Sequence, residues 1–89
     1  MKECRVKIVN RLGLHARPAM SFVDTASAFT AAIRVRNGDT EVDGKSIMAV
    51  MLLAAPVGSE LLVQVEGEDE EASLAAIAEL IADRFGEEE

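Results

Sequence analysis

The sequence predicts an α+β fold, an open-faced β-sandwich in which a four-stranded antiparallel sheet carries three helices on one face. Three observations predict it. Strand-like segments alternate apolar and charged residues, so a sheet built from them has one wet face. Other segments repeat apolar residues at helical spacing. The two kinds follow one another as β-α-β-β-α-β-α, and most of the strands are not apolar throughout, as a sheet covered on both faces requires. A chain of 89 residues supports one two-layer core, so residues 1–89 are expected to form a single domain.

The elements follow in order. In the first strand Cys4, Val6 and Ile8 alternate with Glu3, Arg5 and Lys7, and Asn10 to Leu14 reads as a loop. From Ala16 onward Ala19, Phe22, Val23, Ala26 and Phe29 share a helix face, with Asp24, Thr25 and Ser27 between them. Ile33 and Val35 alternate with Arg34 and Arg36. Asn37-Gly38 then supplies the positive φ angles of a tight hairpin into a short strand over Thr40 to Asp43, ended by Gly44. Ser46 is a good N-cap for a short helix with Ile47, Val50, Met51 and Ala54 on its apolar face, closed by Pro56 and Gly58. Leu61, Val63 and Val65 line one face of a strand over Glu60 to Glu66. Asp69, Glu70 and Glu71 suit the positive end of a last helix, which runs through Leu74, Ile77, Ile81 and Phe85 to Gly86.

Composition narrows the function classes. Apolar residues are 49% of the chain with three Phe and neither Trp nor Tyr, so the core is aliphatic. A net charge of −7 argues against nucleic acid or an anionic membrane surface as partner. The acidic clusters at Glu66 to Glu71 and Glu87 to Glu89 read as solubility. A single cysteine, Cys4, forms no intramolecular disulfide and no thiolate metal site, and its place in a strand reads as a buried structural thiol. No metal and no cofactor are expected. No apolar run reaches the length of a signal peptide core or a membrane span, so a cytoplasmic protein, acting as a monomer, is expected.

Chemistry concentrates at the only histidine, His15, in Gly13-Leu14-His15-Ala16-Arg17-Pro18-Ala19 between the first strand and the first helix. A loop entering a helix leaves the first backbone N–H groups unpaired, which makes an anion site fit for phosphate. Pro18 costs little in a first turn, where its missing N–H has no helical partner to lose. Neutral imidazole is a good nucleophile and is abundant near its unperturbed pKa of about 6.5. Arg17 offers a charged fork to phosphoryl oxygens, and Gly13 leaves room for an incoming partner. No base, nucleotide loop or metal cage accompanies them to support a full enzyme, and on spacing alone His15 reads equally as a phosphoryl acceptor or as an N-cap or half-buried spacer at the helix start.

The segment Gly13 to Ala19 resembles the active-site signature of the HPr phosphocarrier family of the phosphoenolpyruvate-dependent sugar phosphotransferase system. Val42-Asp43-Gly44-Lys45-Ser46-Ile47-Met48-Ala49-Val50-Met51 resembles that family's regulatory serine region, at the same separation from the histidine. The resemblance implies that phospho-enzyme I phosphorylates Nδ1 of His15, that Arg17 partners the phosphate, and that enzyme IIA domains receive the group. It implies that Ser46 is a site for a dedicated HPr kinase/phosphorylase where one exists. Met20, Ile47, Met48 and Met51 are implied as docking residues. Family members often carry lysines along the first helix and near the second, where this chain has Asp24, Ser27 and Ala49, so charge steering of an acidic partner is expected to be weak. Met51 to Ala55 and Ile81 to Gly86 resemble the nitrogen-related branch of the family, which regulates more than it transports.

Two further readings stand beside the carrier. One is a regulatory binding module in which phosphorylation of His15 or Ser46 only changes the binding partner. The other, from fold alone, is a ferredoxin-like domain that binds metal or RNA; it lacks a Cys-x-x-Cys, an exposed aromatic pair and a basic charge.

Overall fold

The computed structural model describes residues 1–53 and 55–86; the expected helix-face residue Ala54 and the acidic Glu87 to Glu89 lie outside the described residues. The elements run β1 (Lys2–Lys7), α1 (Ala16–Ser27), β2 (Ala32–Asn37), β3 (Thr40–Asp43), α2 (Ile47–Leu52), β4 (Glu60–Glu66) and α3 (Glu70–Ala82), with a short turn at Arg84–Gly86. The expected β-α-β-β-α-β-α order is therefore observed. The strands form one antiparallel sheet in the order β1-β4-β2-β3.

Period-two alternation sorts the sheet into two faces. Cys4, Val63, Val35 and Val42 form one inward row, and Val6 with Leu61, and Val65 with Ile33, form the neighbouring rows. All three helices cover this face. α3 packs on β1 and β4, α2 lies against β3, and α1 sits between the two helices. Ile8, Phe22, Ile33, Val50, Leu61, Val63, Ile77 and Ile81 are among the residues that close the core. Cys4, expected to be buried, is only half-buried against it, and that burial pushes the thiol pKa up.

The opposite face is open and charged. Arg5, Leu62, Arg36 and Glu41 lie in one row across it, and Glu3, Gln64, Arg34 and Asp43 in the next. Arg5 pairs with Glu60 at 3.4 Å and Arg34 with Glu41 at 3.9 Å. Leu62 is nevertheless buried, because it sits between the long stems of Arg5 and Arg36.

Four local expectations need correction. The hairpin loop is Gly38-Asp39, since Asn37 pairs with Thr40 as the last residue of β2. Only Gly38 has positive φ, at 62°, the arrangement of a type II′ turn, whose first central position glycine fills. In α2, Met51 faces outward and Leu53, the C-cap, enters the core instead, because it keeps helical angles and lies three residues past buried Val50 on the same face. Phe29 lies beyond the end of α1. At the other terminus α3 ends at Ala82, and Phe85 reaches the core from outside the helix. Arg84 and Phe85 take φ of 55° and 56°, which reverses the hand of the chain and turns Phe85 inward. Left-handed backbone costs about 1–2 kcal/mol per residue, and burying a Phe side chain returns about 1.5–3 kcal/mol.

Candidate functional site

The approach to His15 is a short loop anchored at both ends. Ile8, fully buried, donates its N–H to Ser59 O at 2.8 Å and accepts from Gly58 N at 2.8 Å. Five residues further on, Gly13 N donates to Asn10 O at 3.1 Å, closing a turn, and Leu14 N donates to Ala55 O at 2.8 Å. Gly13 has φ +72°, and a Cβ there would lie 2.6 Å from Ala55 O and 2.9 Å from Pro56 Cα. Glycine is thus required twice, for its backbone angle and for the close approach of the segment that follows α2. The space expected at Gly13 for an incoming partner is taken by this contact: Gly13 is buried.

His15 is the N-cap residue of α1, extended at φ −94° and ψ −169°, and half-buried. Its carbonyl accepts the first helical bond, from Ala19 N at 2.9 Å, while its side chain makes no capping bond to the helix. Ala16 and Arg17 occupy the first turn, where an N–H has no helical carbonyl to meet, and Pro18 brings no N–H at all. No acidic residue occupies the first turn of α1, whereas α3 carries Glu70 and Glu71 there. Carboxylates therefore offset the positive end of α3 from within the chain. The first turn of α1 has no such carboxylate, and exposed Arg17 stands in it.

Ser46 caps α2 as expected, its Oγ accepting from Ala49 N at 3.3 Å. Lys45 ties this helix start to the end of α1 through Nζ to Phe29 O at 2.7 Å. It is the other end of α2 that meets the histidine loop, through Ala55. Ser46 thus stands at the opposite end of α2 from that loop, with about 9 Å of helix between.

The four expected docking residues divide. Met20 on α1 and Met48 and Met51 on α2 are exposed, Met48 by 77%, and the two helices pack together. Ile47 is half-buried against the core and contributes less surface. Leu12 (69% exposed), Leu52 (75%) and Val57 are also exposed, on the histidine loop, the end of α2 and the segment after it. A signal for Leu52 was present: α2 is Ile-Met-Ala-Val-Met-Leu, six apolar residues in a helix that buries one side, so some must face out. Nothing local marks Leu12 or Val57. Among the described residues no group of three His, Cys, Asp or Glu side chains is disposed to hold a metal ion, and no helix is long and apolar enough to cross a membrane.

Comparison with known proteins agrees with this geometry. The family model described as the PTS HPr component phosphorylation site matches residues 2–83. The chain is 50% identical to phosphocarrier protein HPr of Pseudomonas aeruginosa, over the whole of both chains. Its fold matches the crystal structure of HPr from Thermoanaerobacter tengcongensis with a TM-score of 0.96 at 45% identity, covering both chains fully. A dimer of the Thermoanaerobacter HPr also matches, with a TM-score of 0.79 at 45% identity, over 98% of this chain and 100% of that one. The open-faced sandwich and the matched phosphorylation-site model define a phosphocarrier of the phosphotransferase system. The chain belongs to the HPr family.

Proposed function

We propose that His15 accepts a phosphoryl group from phospho-enzyme I and passes it to an enzyme IIA domain. The observation that carries this reading is the start of α1: a histidine at the N-cap, no carboxylate in the first turn, and Arg17 two residues on. The unprotonated Nδ1 attacks phosphorus, the bond from phosphorus to the donor breaks as the new P–N bond forms, and the other ring nitrogen keeps its proton. The first-turn N–H groups and Arg17 draw the phosphoryl oxygens and hold the group until the next acceptor reverses the step. Met20, Met48 and Met51 offer adaptable apolar surface to both partners, with Ile47 at its margin.

Ser46 is the regulatory position in this reading, modified by an HPr kinase/phosphorylase where the cell has one. The phosphate at the start of α2 meets the positive end of that helix and alters the docking surface. The carrier works in the cytoplasm as a monomer, a state supported by a core that closes within one chain.

Incubation with enzyme I and phosphoenolpyruvate tests the central claim. The wild-type chain is expected to gain one acid-labile phosphate by mass spectrometry, and His15→Ala none, with its fold intact. An acid-labile phosphate that persists in His15→Ala would overturn the assignment. Size-exclusion chromatography with light scattering tests the monomer.

A further inference from the structure

We infer that Asn10 is a positioning residue for phosphoryl transfer, acting on His15 through the peptide plane between Gly13 and Leu14. The inference rests on the reading of His15 as the phosphoryl acceptor. Asn10 is 0% exposed, although it lies in a loop whose neighbours Val9, Arg11 and Leu12 are all exposed. Its amide Nδ2 donates to Gly13 O at 2.7 Å. That carbonyl belongs to the same peptide unit as the Leu14 N–H, which donates to Ala55 O at 2.8 Å. One peptide plane is therefore held at both poles, by a side chain at its oxygen and by the segment after α2 at its nitrogen.

The plane adjoins the reacting residue. The same Gly13 oxygen accepts His15 N at 3.1 Å, so the Asn10 amide and the His15 backbone share one acceptor. Leu14, between plane and histidine, is buried and has little freedom to absorb a rotation. A plane pinned at one pole only can rock about the line of the remaining bond, and that motion passes into the backbone of His15 and swings its ring. Phosphoryl transfer depends on in-line placement of the nucleophile, where a displacement of about 1 Å costs on the order of 100-fold in rate. Asn10 is fully buried and presents no surface to a partner, so it should act on the transfer step and leave partner binding alone.

Asn10→Asp keeps the shape but replaces the donor with an acceptor, and Asn10→Ser removes the reach. Each is compared with wild type and with Ile33→Val, which loosens the core at the far end of the sheet from the loop, where Ile33 pairs with Val65 and Val65 with Lys2. Phosphorylation by phospho-enzyme I is followed by rapid quench over a range of carrier concentrations, at a temperature where circular dichroism shows each protein folded. The maximal transfer rate of both Asn10 variants is expected to fall roughly 10- to 100-fold with KM within about twofold of wild type. Ile33→Val should transfer at the wild-type rate despite a lower melting temperature. Wild-type rates in the Asn10 variants, an equal slowing in Ile33→Val, a rise in KM alone, or failure of both Asn10 variants to fold would each overturn the inference. Failure of the wild-type chain to be phosphorylated would instead overturn the proposed function itself.

Discussion

Gly13→Ala should cost more than any surface glycine substitution in this chain, because two independent penalties meet at one Cβ. At φ +72° an L side chain enters left-handed backbone, at a cost of about 1–2 kcal/mol. The new methyl would also stand 2.6 Å from Ala55 O and 2.9 Å from Pro56 Cα, well inside normal contact. Both are backbone atoms and cannot rotate away, so the loop must shift, an overpacking cost of about 1–3 kcal/mol. Together these amount to about 2–5 kcal/mol, a large share of the stability of a domain this size, and should lower Tm by at least about 10 °C. Gly38→Ala isolates the first penalty, since Gly38 has φ +62° and nothing within 4 Å of the added Cβ. Thermal melts of both variants by circular dichroism are the assay, with the difference between them measuring the close approach. The shift that relieves the clash moves the segment leading into His15, so transfer from enzyme I should slow in Gly13→Ala and stay normal in Gly38→Ala. Equal melting of the two variants would refute the steric argument.

The remaining predictions concern the helix starts. Arg17→Ala should slow single-turnover transfer about 100- to 1,000-fold while phosphate still goes to His15, and an unchanged rate would remove Arg17 from the site. Ser46→Ala should lose only about 0.5–1 kcal/mol, the low end for an N-cap because the Oγ to Ala49 N bond is 3.3 Å long, as a denaturant titration would measure. Ser46→Asp, an equally good cap, should keep the melting temperature yet lower the rate of His15 phosphorylation. The effect should come chiefly through docking on α2, since a length of helix comparable to the Debye length of about 8–10 Å separates Ser46 from the histidine loop. A normal rate would leave Ser46 only a cap. Asp69 accepts from Thr30 N and Ala31 N, each at 2.8 Å, and these bonds, led by Thr30, hold its carboxyl below the usual range against a partial desolvation that opposes them. Its contribution is therefore full above the unfolded value of about 3.9 and is lost as pH falls through the depressed folded value. Asp69→Asn should melt below wild type at neutral pH, and the gap should shrink in strong acid; a gap that does not depend on pH would refute this.

Much of the molecule follows from local pattern. Alternation places Cys4, Val35, Val42 and Val63 on one face of the sheet whatever the partner strands, because successive strand residues point to opposite sides. Helix starts at Ser46 and beside Asp69, and a histidine at the head of α1 with Arg17 following, are equally legible, since capping and dipole effects act within one turn. The resemblance of Gly13 to Ala19 and of the Ser46 segment to known motifs then carried the family as well.

Tertiary structure decided what depends on residues far apart in the chain. Asp69 reads in sequence as acidic charge at the positive end of the last helix, but its carboxylate serves the backbone of Thr30 and Ala31, 39 and 38 positions away. Gly13 reads as spare room, and the structure fills that room with Ala55 and Pro56. Asn10 reads as an ordinary loop residue, and only the arrival of Ala55 on Leu14 N makes its amide one end of a two-point hold on the peptide before His15. Phe85 continues a helical period, yet the chain reverses hand to bury it. Propensity and periodicity are properties of a few consecutive residues, whereas burial and hydrogen-bond choice are settled by whichever distant segment the fold brings alongside.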